Sequence, residues 1–297
     1  MAFTLPATEI EDLEAQVQAA LRAADHSGLT VLGYGEVSLV LALETGAGSF
    51  ACKRLPVFPG AEQLKTYERS LAEYIQRLRA AGVTVADSDL WHRQLPSGGT
   101  VAYVVQEVLP AKRLVSQLLH SEDDEWAEDF FTRFLDRVEG AVSPVLGLDA
   151  QASNWVDLDG ELVYLDITTP LMRDARGRER LDVRLFYSSL PWALRDVTRL
   201  TMTGSILNKF YEPRGVVLDF LGNLHKERLS ARLPRFLEQA NARLPGKPIT
   251  ADEVSAYYKG DARMWELLQR LRRADRLWHR KIRRRVYPFL LPPDVAR

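Results

Sequence analysis

Apolar residues near the amino terminus recur every three or four positions, which predicts a helix. The positions concerned are Ile10, Leu13, Val17 and Leu21. Thr8 and Glu11 stand at the spacing of a capping box and predict where this helix begins. We therefore expect residues 1–28 to form an N-terminal helical segment.

The spacing then changes to that of β-strands, in segments rich in branched residues and separated by turn-forming residues. The segments are 29–32, 37–43, 49–55, 87–93 and 101–107. A helical pattern fills residues 61–81 between the third and the fourth segment. The order of three strands, one helix and two strands predicts a small sheet-rich domain over residues 29–110.

Beyond residue 111 the helical period dominates. Apolar side chains share one face of a helix that ends near Gly140, and a short hairpin with Asp159-Gly160 at its turn follows. Prolines separate the later helical segments. We expect residues 111–297 to form a larger, mostly helical domain, so that the fold class of the chain is α+β.

Composition and charge narrow the classes of function. The 39 Lys and Arg residues and the 40 Asp and Glu residues of the 297-residue chain leave a net charge of −1. That balance argues against a protein whose whole surface binds nucleic acid or a membrane. No apolar stretch approaches the ~20 residues of a membrane span. The amino terminus lacks the pattern of a secretory signal, and Cys52 is the single cysteine, so we expect a cytoplasmic protein.

A glycine-rich segment joins the first two predicted strands. Gly33 and Gly35 are followed there by Ser38 and Val40. A dinucleotide fingerprint or a P-loop requires a glycine loop that opens a helix, and this loop joins two strands. Glycines in a hairpin let backbone N–H groups approach phosphates closely. The segment is therefore a candidate phosphate-covering loop, and an ordinary glycine-rich hairpin is the alternative.

Lys53 lies at the end of an apolar strand. An ammonium group that is buried there requires an acidic partner. Glu68 on the following helix is the partner that we expect, because it would lie on the helix face of Leu71 and Ile75. Glu73 is the alternative. A lysine whose head group simply reaches solvent is the other interpretation.

Three oxygen-bearing side chains flank the predicted hairpin. Asp149 and Asn154 stand five residues apart before it, and Asp166 follows its second strand. Carboxylate and amide oxygens are ligands that Mg²⁺ accepts, so Asn154 and Asp166 are candidate metal ligands. An Asx turn at Asn154 and a strand-terminal carboxylate at Asp166 are the structural alternatives.

Taken in order, these features resemble the protein-kinase-like superfamily, in particular its small-molecule branch of aminoglycoside and choline phosphotransferases. The resemblance spans about residues 29–170 and includes the glycine loop, the strand lysine, the D-x-x-x-x-N spacing and the later aspartate. It implies a bilobal fold with a small five-stranded antiparallel lobe, one long helix and a larger helical lobe. The sequence departs from the family pattern at Gly147-Leu148, before Asp149, and at Ile167-Thr168, after Asp166.

The resemblance also implies an activity, the transfer of the γ-phosphate of ATP to a hydroxyl of a small molecule with Mg²⁺ as cofactor. Asp149 would be the catalytic base and Lys53 the phosphate-binding lysine, while Asn154 and Asp166 would hold the metal. The implied nucleotide-binding residues are Gly33, Gly35, Ser38, Val40, Lys53, Glu68, Gln106 and Val108. Transfer of AMP to a protein, and a pseudokinase that only binds a nucleotide or a partner, stay open.

Residues 270–285 carry nine basic side chains. On a helix, four of them would form one stripe, and three apolar residues would pack inward. The four are Arg273, Arg276, Arg280 and Arg284, and the three are Leu268, Leu271 and Trp278. We interpret the stripe as a solvated helix face and do not expect nucleic-acid binding. An anionic partner such as RNA, a lipid surface or an acidic substrate is the alternative.

Overall fold

The computed structural model describes residues 3–34, 39–96, 98–182 and 207–291. In this part the chain is α+β. The strands are β1 Val31–Tyr34, β2 Leu39–Thr45, β3 Gly48–Arg54, β4 Thr84–Val85, β5 Ser88–Gln94, β6 Thr100–Glu107, β7 Trp155–Leu158 and β8 Glu161–Tyr164. The helices are α1 Ala7–Ala23, α2 Ala61–Ala80, α3 Val115–Ser121, α4 Asp124–Ala141, α5 Pro213–Lys226, α6 Leu233–Arg243 and α7 Ala251–Leu277.

The first five predicted strands form one antiparallel sheet, in the order β1-β2-β3-β6-β5. The predicted five-stranded antiparallel sheet is therefore confirmed. A second sheet, β4-β8-β7, pairs the predicted hairpin with β4, which runs parallel to β8. The two-residue strand β4 was not predicted, because two residues are too few to show a period.

Strand β6 separates two hydrophobic clusters. Alternate side chains of a strand point to opposite faces, so Tyr103 and Val105 join one cluster while Ala102 and Val104 join the other. The smaller cluster packs the sheet against the apolar face of α1, which includes Ile10. The larger cluster packs the opposite face of the sheet against α2 and the helices that follow.

Helix α1 begins at Ala7, so Thr8 lies inside the first turn and cannot be the capping residue. Among the described residues no side chain caps this helix, and the predicted capping box of Thr8 and Glu11 is wrong. The helix ends at Ala23, where Ala24 takes a left-handed conformation (φ 56°) and its N–H donates to the carbonyl of Leu21.

Aromatic side chains fill the core between the helices after residue 111. The ring of Phe131 on α4 lies 4.3 Å from that of Phe236 on α6, and Phe134 lies 4.4 Å from Phe220 on α5, both between centroids. These four residues are fully buried. None of the helices in the described ranges is long and apolar enough to cross a lipid bilayer.

Trp278 at the end of α7 does not pack inward as expected. The buried positions in the carboxyl half of α7 are Gln269, Arg272 and Asp275, and His279 continues that row by steps of three and four residues. Trp278 lies one residue off the row and is exposed. The predicted stripe is also interrupted, because the helix changes at Trp278 to a wider, π-type turn.

Candidate functional site

Lys53 is placed by the alternation of β3. Phe50 and Cys52 point into the cluster under α1, so Lys53 projects from the opposite face of the sheet. Its Nζ donates to the carboxylate of Asp166, which lies just after β8. The side chains of Lys53 and Asp166 are 17% and 28% exposed, so the ion pair is mostly shielded from solvent.

Asp166 is held in its charged form. Burial alone would raise the pKa of this carboxyl, but the adjacent Lys53 ammonium and a hydrogen bond of 2.9 Å from Thr168 Oγ1 keep the pKa below its usual value. The site therefore carries a charged carboxylate next to a basic side chain, in an environment of low polarity.

The expected ion pair between Lys53 and Glu68 is absent. Glu68 is exposed, and none of the described basic side chains pairs with it. The alternative, Glu73, pairs with Arg180 (2.6 Å) and Arg77 (2.7 Å).

The register of α2 explains why Glu68 does not reach Lys53. The buried face of α2 consists of Leu64, Tyr67, Ser70, Leu71, Tyr74 and Leu78, and one residue further along turns a side chain by about 100°.

Two tyrosines on the buried face of α2 bind the backbone of the two segments that carry Asp149 and Asp166. Tyr67 donates its hydroxyl to the carbonyl of Thr168 at 2.9 Å, and Tyr74 donates to the carbonyl of Gly147 at 3.0 Å. These two contacts were not predicted from the sequence. The available signal was the seven-residue spacing of two tyrosines on an apolar face, since a buried hydroxyl needs a hydrogen-bond partner.

Asp149 and Asn154 are joined within one loop by a hydrogen bond. Asn154 Nδ2 donates to the carbonyl of Asp149 at 2.9 Å, and the hydroxyl of Tyr164 donates to the same carbonyl at 3.0 Å. Because the amide nitrogen of Asn154 holds the loop, Oδ1 is the oxygen that this side chain offers to a metal.

The two aspartates act on the same pair of buried phenols. Burial raises the pKa of Tyr74, and the charges of Asp166 and Asp149 raise it further. The pKa of Tyr164 is raised by burial, by Tyr74 and by the same two charges. The backbone also brings the two segments together, because the N–H of Leu165 donates to the carbonyl of Asn154 at 2.9 Å and Tyr164 donates to the carbonyl of Asp149 at 3.0 Å. The Asp149 loop therefore lies beside the end of β8 that precedes Asp166.

Glycine has a steric role just before Asp149. A Cβ on Gly147 would stand 3.0 Å from Cβ of Leu171 and 3.1 Å from the carbonyl oxygen of Phe210. The N–H of Gly147 donates to Leu171, and the N–H of Leu148 donates to Phe210. Close backbone packing behind the loop thus requires a glycine at position 147, where the sequence departs from the protein-kinase-like pattern.

Of the expected nucleotide-binding residues, Gly33, Val40 and Lys53 lie side by side on neighbouring strands. Gly33 and Val40 face each other across β1 and β2, and Val40 faces Lys53 across β2 and β3. Gly35 and Ser38 lie outside the described residues. The structure thus places the described end of the glycine segment beside the lysine.

Gln106 and Val108 are both engaged within the protein. Gln106 Nε2 donates to the carbonyl of Leu165 at 3.2 Å, beside Asp166. The N–H of Val108 donates to the carbonyl of Ser49 at 2.9 Å. The backbone N–H of Val108, one of the implied nucleotide-binding residues, is therefore already used within the protein.

The donor atoms at the site suit a hard cation better than a soft one. No group of three or more His, Cys, Asp and Glu side chains in the described ranges could hold a metal ion. The carboxylate of Asp166 and Oδ1 of Asn154 are oxygen donors, which is the type that Mg²⁺ takes. Mg²⁺ is commonly held by one or two carboxylates together with phosphate oxygens, and Asp166 supplies one carboxylate of that kind.

Two comparisons with known proteins bear on the identity of the chain. No curated protein matches it. A profile described as a family of unknown function, DUF6206, matches residues 12–276. This match includes β3, α2, the Asp149 loop and Asp166. Because the match covers most of the sequence, the chain belongs to the family DUF6206.

Proposed function

We propose that the protein is an ATP- and Mg²⁺-dependent phosphotransferase that acts on a hydroxyl group of a small molecule. One observation carries the proposal. Lys53 pairs with Asp166 across 113 residues of sequence, beside a loop in which Asn154 holds the carbonyl of Asp149. The proposal includes the bilobal arrangement, with residues 29–110 and 111–297 as its smaller and larger lobes and the nucleotide between them.

Each residue has a distinct part in the proposed reaction. Asp149 orients the acceptor hydroxyl and takes its proton while the hydroxyl oxygen bonds to the γ-phosphorus. The bond from that phosphorus to the oxygen bridging the β- and γ-phosphates breaks, and ADP leaves. Lys53 exchanges its contact with Asp166 for the α- and β-phosphates.

Asp166 and Asn154 Oδ1 hold the metal in this proposal. Mg²⁺, when bound, supplies positive charge that offsets the charge of the phosphates. The carboxylate of Asp166 is already kept ionised in the free protein, because Lys53 and Thr168 lower its pKa. Asn154 also keeps the Asp149 loop closed through its amide nitrogen, so that base and metal ligand are positioned by one side chain.

The experiment that tests the proposal measures ADP formation from ATP and Mg²⁺ across a panel of hydroxylated metabolites. Asp149→Asn is expected to lower turnover by roughly 10²–10⁴-fold, with unchanged thermal unfolding. Asp159→Asn is the matched control, because Asp159 is an exposed hairpin residue for which asparagine also tolerates the observed φ of 54°. Equal turnover in Asp149→Asn and the parent would contradict the proposal.

A second candidate is a nucleotide-binding module without turnover. The specific observation that favours it is that α2 supplies no carboxylate to Lys53, which pairs with Asp166 instead. A Mg²⁺-dependent thermal shift with ATP, without product formation on any acceptor, would support this candidate. Mass analysis of any modified product separates phosphoryl transfer from AMP transfer at the same site.

A further inference from the structure

The surface that follows α7 exposes large apolar side chains. These side chains, which are between 43% and 62% exposed, are Leu277, Trp278, Ile282 and Val286. Isolated exposed apolar residues are ordinary on a protein surface. Four within ten consecutive residues form a patch of the kind that marks an interaction site.

The same ten residues expose a set of basic side chains. They are Arg280, Lys281, Arg283, Arg284 and Arg285. The sequence contains no Asp or Glu from residue 276 to residue 291. Within the described ranges, no carboxylate forms an ion pair with any of these five. We name the exposed side chains of residues 277–286, apolar and basic together, the basic apolar patch.

The basic apolar patch is fixed at both ends. Before it, His279 Nδ1 lies 3.0 Å from the carbonyl of the buried Asp275. After it, the ring of the buried Tyr287 lies 5.7 Å from the ring of His279. The N–H of Arg285 donates to the carbonyl of His279 at 2.9 Å, which closes the segment on itself.

The chain then returns to α1 and the five-stranded sheet. Pro288, Phe289 and Leu290 line a small hollow together with Val17 of α1 and Leu39 of β2. The exposed apolar side chains are therefore not those of a frayed end. They are held outward by a segment that is anchored to α1, to the sheet and to α7.

We propose that the basic apolar patch binds the surface of an anionic lipid bilayer. Clusters of four to eight Lys and Arg side chains on an amphipathic segment are attracted to anionic headgroups. Leucine, isoleucine and tryptophan side chains beside them enter the boundary between headgroups and acyl chains, and tryptophan favours that boundary in particular. The patch combines both elements and contains no acidic residue that would repel the headgroups.

Two other occupants fit the patch less well. A nucleic-acid backbone would engage the arginines, but it gives Leu277 and Ile282 no apolar surface to bury. A second copy of the chain in a twofold contact would place five positive charges against the same five charges. The lipid surface is the partner that uses both the apolar and the basic side chains. This inference does not depend on the proposed phosphoryl transfer.

The test is co-sedimentation of the full chain with vesicles. We expect binding to vesicles of phosphatidylcholine with about one third phosphatidylserine, and none to phosphatidylcholine alone. The quadruple variant Arg280→Gln, Arg283→Gln, Arg284→Gln and Arg285→Gln is expected to weaken binding by at least about tenfold. Trp278→Ser with Ile282→Ser should weaken binding at low salt and at high salt, because the apolar contribution is not screened.

Matched controls separate the patch from general charge and hydrophobicity. The variant Arg22→Gln, Arg69→Gln, Arg176→Gln and Lys226→Gln removes four exposed charges elsewhere, and Leu32→Ser removes an exposed leucine. Both should bind like the parent. Equal binding of parent and patch variants would overturn the proposal. Displacement of the protein from the vesicles by single-stranded RNA at equal phosphate concentration would also overturn it. So would light scattering that shows a dimer for the parent and a monomer for the variant Trp278→Ser with Ile282→Ser.

Discussion

Tyr74 of α2 donates its hydroxyl to the carbonyl of Gly147, two residues before Asp149, at 3.0 Å. Two helical turns earlier, Tyr67 does the same to Thr168, two residues after Asp166. In protein kinases a helix glutamate pairs with the strand lysine. In this chain α2 instead contacts the two acidic loops directly, through backbone carbonyls.

Removal of the Tyr74 hydroxyl tests this arrangement. Tyr74→Phe is expected to lower the free energy of unfolding by about 1–3 kcal/mol, because the buried carbonyl of Gly147 loses its donor. Urea unfolding measures the change. Tyr258→Phe is the control, since the ring of Tyr258 packs against His225 and its hydroxyl has no hydrogen bond within the described residues. A loss in Tyr258→Phe as large as that in Tyr74→Phe would show that the Gly147 contact is not the cause.

The identity of the lysine partner gives a second prediction, which rests on the proposed function. Glu68→Gln is expected to leave ATP-dependent product formation within about twofold of the parent, because Glu68 is exposed and outside the site. Lys53→Met and Asp166→Asn are expected to lower it by roughly 10²-fold or more. Product formation with purified variants is the measurement. A defect in Glu68→Gln as large as that in Lys53→Met would instead indicate that Glu68 pairs with Lys53, as the resemblance implies.

Local periodicity predicted most of the secondary structure. The predicted helix 61–81 corresponds to α2, Ala61–Ala80, and the predicted strand 101–107 corresponds to β6, Thr100–Glu107. These segments are long enough for their apolar positions to repeat several times. The pairs β1-β2, β2-β3 and β5-β6 join consecutive strands across short turns, whereas the pair β3-β6 joins strands on either side of α2, which no local pattern contains.

The candidate site was less predictable, because its contacts join distant parts of the chain. The helical period placed Glu68 near the apolar face of α2 but could not decide between adjacent positions, and Tyr67 is the buried one. Whether Lys53 meets a residue of α2 or Asp166 depends on how β8 docks against the sheet. That docking follows from the packing of the larger hydrophobic cluster, which no local pattern contains.

The packing of α5 on α7 gives a third prediction. A Cβ on Gly222 would stand 2.7 Å from Cδ1 of Tyr257, whose hydroxyl is fixed by Lys209 (2.6 Å) and Asp219. Gly222→Ala is therefore expected to lower the free energy of unfolding by about 1–3 kcal/mol. Thermal or urea unfolding measures it.

Gly260 is the matched control for Gly222, because it is also helical but has no atom within 4 Å of an added Cβ. Gly260→Ala should stabilise the protein by up to about 1 kcal/mol, since alanine favours the helix. The same sign of change in Gly222→Ala and Gly260→Ala would contradict the steric argument.

A buried carboxylate ties α1 to the sheet. Glu14 accepts hydrogen bonds from Arg54 Nε (2.9 Å) and Nη2 (3.0 Å), from the hydroxyl of Tyr103 (2.5 Å) and from Gln18 (2.6 Å). Burial alone would raise the pKa of Glu14, but Arg54 and the other donors hold it below its usual value. Because the folded-state pKa is lowered, the charged form stabilises the fold, and this contribution is lost as the pH falls.

Glu14→Gln is expected to lower the free energy of unfolding by about 3 kcal/mol at neutral pH, because Arg54 stays buried without its charge partner. The contribution of Glu14 should be complete above its unfolded-state pKa of about 4.3 and disappear as the pH falls through the lower folded-state pKa. Urea unfolding of parent and variant as a function of pH measures both effects. Glu11→Gln, which loses only an exposed carboxylate 3.8 Å from Arg93, should change stability by less than about 1 kcal/mol. If the parent and Glu14→Gln lost stability in parallel as the pH fell, the acid sensitivity would have to come from other carboxylates.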